Sequence, residues 1–208
     1  MGISTTHGNE IIDHILKGTA LAQETNLYLG LFTAAPTDAG GGTEVTGNGY
    51  LRIIHNAWDA AASKASANTG TAAFAAASGG PWGLVSHFGI FDALTTGVLL
   101  QHGMLATAIV GYQADAGTDN VWAAGHTFVD TDQVRVHGEL IPTGLSRDTV
   151  YFVIGATGDE FQLSLTSGGA AVNFTSDGSG RIGLDASRNV LDTDDVRFLG
   201  GALDIILA

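Results

Sequence analysis

Ile11, Ile12, Ile15 and Leu16 recur at helical spacing, which predicts a short amphipathic helix near the start of the chain. Thr5, Thr6 and Asn9 are candidate N-caps, and Gly18 is a natural stop. A helix this short persists only when it docks on something. Beyond it the pattern turns to strands. Leu27–Phe32 is a compact apolar run, Ala35–Gly42 a Pro/Asp/Gly loop, and Tyr50–Trp58 a further strand. Residues 59–81 are Ala/Ser/Gly-rich around Phe74; a strand pair or a helix is compatible with them, and strand with loop is the favoured reading. Trp82–Phe91 and Val98–Leu100 flank an Asp92–Gly97 turn, which predicts a hairpin. Met104–Tyr112 and Thr149–Ile154 are strand-like. Phe161, Leu163 and Leu165 alternate with polar residues, Ala171–Thr175 is short and similar, and Val196–Phe198 and Leu203–Leu207 end the chain.

Many short strands joined by glycine-rich turns predict a mainly β chain: a β-sandwich or barrel-like domain with a short N-terminal helix. Gly178-x-Gly180 reads as a turn. One internal echo interrupts the pattern. Asp130-Thr131-Asp132-Gln133-Val134-Arg135-Val136 resembles Asp192-Thr193-Asp194-Asp195-Val196-Arg197-Phe198. The expectation is that the pair flanks an inserted small β-module.

Composition narrows the function. Of 208 residues, 45% are apolar and only 14% charged, so the chain buries a core and part of its surface suits other protein. Acidic residues outnumber basic ones 21 to 8. Lys17 and Lys64 are the two lysines and the arginines are scattered, which argues against nucleic-acid binding. Cysteine is absent, so disulfides and thiolate metal sites are excluded. No apolar run reaches the ~20 residues of a membrane span, and no secretory leader is expected.

Candidate chemistry is thin. His7, Glu10 and His14 have helical ligand spacing, but surface solvation is the favoured account of them. The Asp-Thr-Asp pieces offer carboxylates to calcium, yet lack the glycine and glutamate of a twelve-residue calcium loop; turn formation accounts for them. Asp59 with Asp92, or Asp159 with Glu160, are carboxylate pairs such as any acidic chain contains. Trp58, Trp82, Trp122 and Tyr112 are candidates for a sugar platform, or for core and subunit contact.

The segment Leu27–Val45 with Gly49-Tyr50-Leu51-Arg52, then Trp82-Gly83, His87–Ala93 and Gly97, and finally Val196-Arg197-Phe198 and Gly201-Ala202-Leu203, resembles a phage tail-fibre-like family of virion structural proteins common in siphophages. The likeness covers about residues 1–112 and 190–208. Residues from about 118 to 189, with Asp132–Val136, Leu140–Leu145, Tyr151-Phe152-Val153, Phe161–Ser164 and Gly178–Gly180, resemble a second phage-borne β-module. The implied domains are 1–117 plus 190–208, and 118–189. The resemblance implies a non-enzymatic virion component, made in the host cytoplasm and carried on the particle exterior. It brings no catalytic residue, cofactor or metal. Without heptads, collagen-like triplets or β-helical repeats to build a shaft, a capsid decoration or cement protein is expected ahead of a tail fibre or receptor-binding protein. Expected partners are major capsid or tail proteins and sister copies in a homotrimer, with host-surface glycan under the fibre alternative. Ile11, Ile12, Ile15 and Leu16 are the candidate contact residues.

Overall fold

Ser4 starts the helix. Its backbone is extended and its hydroxyl accepts the His7 N–H at 3.2 Å, so it fills the capping role that the sequence offers to Thr5, Thr6 and Asn9. Those three lie inside the helix, α1 (Thr5–Lys17). Gly18 ends it as anticipated, at φ 69° with its N–H returned to the Asp13 carbonyl. The computed structural model describes residues 2–22 and 24–206, and α1 is the one α-helix among them. No helix is long and apolar enough to cross a membrane among the described residues.

The rest is strand and turn, as the alternation predicts. The chain splits into two compact units: residues through Gly103 together with those from Arg188, and Met104–Ser187. The second unit begins ahead of residue 118, because the strand that opens it starts at Ala106 and pairs with the strand that closes it. In order, the first unit supplies β1 (Gly2–Ile3), β2 (Tyr28–Ala34), β3 (Thr43–Glu44), β4 (Ile53–Ile54), β5 (Ala65–Ala67), β6 (Ala72–Ala73), β7 (Gly83–Val85), β8 (His87–Phe91) and β9 (Leu99–Met104). The second supplies β10 (Ala106–Asp115), β11 (Asn120–Trp122), β12 (Gln133–Leu140), β13 (Val150–Thr157), β14 (Glu160–Ser164) and β15 (Gly178–Asp185). The chain then returns to the first unit as β16 (Arg188–Val190), β17 (Arg197–Phe198) and β18 (Asp204–Ile206).

The first unit is built on a sheet ordered β1-β9-β8-β2-β3, with β4 also on β2. The Asp92–Gly97 turn joins β8 and β9 as the hairpin pattern predicts, and Asp92 Oδ1 secures it by accepting the Val98 N–H at 2.6 Å. The returning strands pair antiparallel with earlier ones, β16 on β7, β17 on β6 and β18 on β5. Residues 59–81 are therefore strand and loop. Phe74 is buried and packs edge-on to Trp82 and Phe198, with Tyr50 stacked beside it. Of the run Tyr50–Trp58 only Ile53–Ile54 is strand, since Tyr50 and Arg52 turn their side chains into a polar cluster. Leu207, within the last predicted strand, lies outside the described residues.

The second unit is a closed barrel, β10-β11-β14-β13-β12-β15. Tyr112, Val121, Val134, Val153, Phe161 and Ile182 fill it. Phe161 and Leu163 face inward as their alternation predicts, whereas Leu165 is exposed because β14 has already ended, and Ala171–Thr175 forms one isolated bridge rather than a strand. Gly178 and Gly180 belong to β15 and not to a turn. A Cβ on Gly178 would stand 2.4 Å from the Leu140 carbonyl oxygen, and one on Gly180 2.4 Å from that of His137. Glycine here serves close strand approach, which the sequence pattern mimics as turn chemistry. Arg135 is wholly buried in the barrel; its Nε donates to Asp185 Oδ1 at 2.9 Å and its Nη1 to the Arg147 carbonyl at 3.0 Å.

The Asp-Thr-Asp echo does not flank the second unit. Its first copy lies within the barrel and its second in the first unit, and the two make the same turn. Thr131 and Thr193 are both left-handed (φ 77° and 72°). Asp132 and Asp194 each accept the backbone N–H three residues back, at 2.9 and 3.1 Å. The Thr131 and Thr193 N–H groups donate to the carbonyls of Val153 and Ala77, whose own N–H groups donate to the backbone carbonyls of Asp132 and Asp194. Asp130 Oδ1 then accepts from Ala156 N–H, as Asp192 Oδ1 does from Gly79 and Gly80.

Candidate interaction surface

Helix α1 buries none of its residues among those described. It is anchored at its start, where Ser4 N–H donates to the Leu100 carbonyl at 2.9 Å and Thr5 N–H to that of Asp38 at 2.6 Å. From there its apolar stripe faces outward. Ile12 is 53% exposed, Ile15 69% and Leu16 76%, while Ile11 is half-buried. Ile12, Ile15 and Leu16 sit at i, i+3 and i+4, so they share one face. Isoleucine and leucine are thereby grouped in solvent on one face of the helix. The opposite face is polar, with Lys17 paired to Asp13 at 2.8 Å.

The residues that carry the family likeness form a structural cluster. Glu44, at the end of β3, receives Arg52 Nε at 2.8 Å and Nη2 at 2.7 Å. Arg52 Nη1 donates to the carbonyls of Ala93 and Thr96, closing the β8–β9 turn, and the guanidinium stacks on Phe91 at 3.3 Å from the ring centre. The Tyr50 hydroxyl accepts the Leu31 N–H at 2.7 Å and donates to Glu44 Oε1 at 3.0 Å. Burial drives the Tyr50 pKa well above the ordinary tyrosine value; the Leu31 N–H opposes this and the Glu44 carboxylate adds to it. Every polar group here is committed to holding β2, β3 and the turn together.

The other candidates separate. His7 Nδ1 lies 3.1 Å from Glu10 Oε2, whereas His14 Nδ1 turns to the Thr19 carbonyl at 2.8 Å, so the three do not converge. Asp159 Oδ1 accepts the Gly125 N–H, and Asp92 caps its own hairpin. Trp82 and Tyr112 are buried, and Trp58 is half-buried with its Nε1–H on the His55 carbonyl. Trp122 alone of the four aromatics is exposed, at 44%.

Trp122 lines an open cleft of about 860 Å³ on the barrel. Strand register places Leu140, Ser179, Gln113, Trp122 and Glu160 side by side on β12, β15, β10, β11 and β14. All five line the cleft. This belt is invisible in the sequence, because its members are neighbours only through register.

A protein-family model described as Podophage GP4 fiber I protein gp80 matches residues 2–123. The matched span runs from β1 through α1 and the first-unit sheet to the β10–β11 hairpin, and includes the Glu44–Tyr50–Arg52 cluster. The description is of a podophage, where the sequence likeness points to siphophages. No curated protein matches the chain.

Proposed function

The chain belongs to the Podophage GP4 fiber I protein gp80 family, and from that premise we propose that it is a non-enzymatic component of the virion exterior, held to its neighbours by the outward face of α1. It is a structural protein of a phage particle in the sense of that family. The observation that carries the docking role is the stripe of Ile12, Ile15 and Leu16 on a helix that buries none of its described residues. Standard protein interfaces bury about 1,600 Å² in total, so the stripe is the apolar centre of a larger contact. The occupants we favour are sister copies in a homotrimer and a tail or capsid protein, with repeated modest contacts giving avidity.

The family description supports a fibre location. Capsid decoration is the second reading, supported by two small units of short strands with no shaft-like repeat among the described residues. Immunogold labelling of intact particles separates the two. The docking role is tested by replacing Ile12, Ile15 and Leu16 together with serine. Purified variant chain should keep its melting temperature within a few degrees, yet lose its oligomeric state and its place on the particle. Normal assembly and incorporation of that variant would end the proposal.

A further inference from the structure

Val121 in β11 and Ala123 just beyond it are fully buried on either side of Trp122, which is exposed. A tryptophan at the outward position leaves its large apolar face in water, which the barrel itself does not require. Its cross-strand neighbours are Gln113 on one side and Glu160 on the other. No side-chain hydrogen bond engages the Gln113 amide or the Glu160 carboxylate among the described residues. The row continues through Ser179 to Leu140, which is 71% exposed. Four strand spacings of about 4.8 Å make the belt about 19 Å long.

We infer that this belt is a binding subsite for a neutral or amino-sugar oligosaccharide. Pyranose rings present a C–H face and a rim of hydroxyls. The exposed indole offers the first a stacking surface, and the Gln113 amide and Glu160 carboxylate offer the second donors and acceptors at adjacent strand positions. The charge of the cleft selects among sugars. Asp115, Glu160 and Asp177 line it and neither lysine nor arginine does, so sialylated, sulfated or phosphorylated glycans meet repulsion. Asp115 and Asp177 are both fixed by the turn between β10 and β11: Asp115 Oδ1 accepts the Gly117 N–H at 2.8 Å and Asp177 Oδ1 the Ala116 N–H at 2.9 Å. They set the field and shape of the rim rather than reach for ligand. This subsite lies on the barrel and does not depend on how α1 docks.

The test uses the full chain on an array of neutral hexose and N-acetylhexosamine oligosaccharides beside sialylated, sulfated and phosphorylated ones. Binding should fall in the neutral and amino-sugar arm. Trp122→Ala should weaken it by about tenfold or more, Trp122→Phe should retain part of it, and Gln113→Ala with Glu160→Gln should weaken it without touching the aromatic. All these positions are exposed, so unchanged thermal melts accompany the loss. No binding in the neutral arm, a preference for the anionic arm, or undiminished binding by Trp122→Ala would overturn the assignment. So would Trp122→Ala particles that lack the protein, because the belt would then be a contact with the particle. Failure here leaves the α1 docking role standing, since that is read from incorporation of the helix variant.

Discussion

Arg52 holds Glu44 through two parallel hydrogen bonds, Nε to Oε1 and Nη2 to Oε2, with its guanidinium plane laid on Phe91. The Arg52 side chain is 9% exposed and that of Glu44 22%, so removing either partner strands the other with little water to replace it. Glu44→Ala is expected to cost about 3 kcal/mol of folding stability, since it abandons both the guanidinium and the Tyr50 hydroxyl. Arg52→Lys keeps the charge but loses the fork and the stacking, and is expected to cost about 2 kcal/mol. Urea unfolding of these two variants, of Arg52→Ala and of Glu44→Ala/Arg52→Ala checks this. The double variant should be less destabilised than the sum of its two alanine singles; strict additivity would show that the pair is not coupled.

A half-buried tyrosine, Tyr50, and a buried one, Tyr112, should respond in opposite ways to loss of their hydroxyls. Tyr50 makes two hydrogen bonds, whereas the Tyr112 hydroxyl has no partner among the described residues. Tyr50→Phe is expected to destabilise by about 1–2 kcal/mol, and Tyr112→Phe to be neutral or mildly stabilising. Burial raises the pKa of both above the ordinary value of about 10. The folded chain therefore holds these protons more tightly than the unfolded chain does. Their contribution is fully present below pH about 10 and is lost as pH rises beyond it toward the folded-state values. Melting temperatures taken from pH 8 to pH 11.5 should fall steeply above pH about 10 in the wild type and less steeply in each phenylalanine variant. A wild-type profile flat across that range would contradict the linkage.

Period-based features of this chain are legible from its residues, and register-based features are not. The helix, the β8–β9 hairpin and the inward-facing Phe161 and Leu163 follow from spacing alone. Gly178 and Gly180 mislead, because glycine demanded by a neighbouring carbonyl is indistinguishable in sequence from glycine demanded by a turn. Arg135 sits between Val134 and Val136 and reads as an outward residue, yet all three are buried, since the Asp185 carboxylate gives the guanidinium a partner inside. The exposed belt around Trp122 gathers residues from five strands, and β11 is only three residues long, too short for alternation to declare which side of it faces water. The Tyr50–Arg52 segment is legible as a family mark, but its reason, the shared Glu44 carboxylate, emerges only with the fold.

The paired Asp-Thr-Asp turns carry a cost that substitution should expose. A β-branched residue in the left-handed region is strained by its own Cβ, and Thr131 and Thr193 both sit there. Their side chains make no hydrogen bond among the described residues; the turn is held by backbone groups and by the flanking aspartates. Asparagine tolerates this conformation better, so Thr131→Asn and Thr193→Asn are each expected to raise stability by about 0.5–1 kcal/mol. The aspartates work the other way. Asp192→Ala leaves the Gly79 and Gly80 N–H groups without their acceptor, and Asp130→Ala does the same to Ala156; a loss of about 1–2 kcal/mol is expected from each. Amide exchange gives a local reading, at Ala77 for the second turn and Val153 for the first, where N–H groups donate to the backbone carbonyls of Asp194 and Asp132. Slower exchange in the asparagine variants and faster exchange in the alanine variants would bear out a strained turn clamped by carboxylates. Faster exchange at Ala77 in Thr193→Asn would instead mean that the threonine methyl and hydroxyl support the turn, and the account of stored strain would fail.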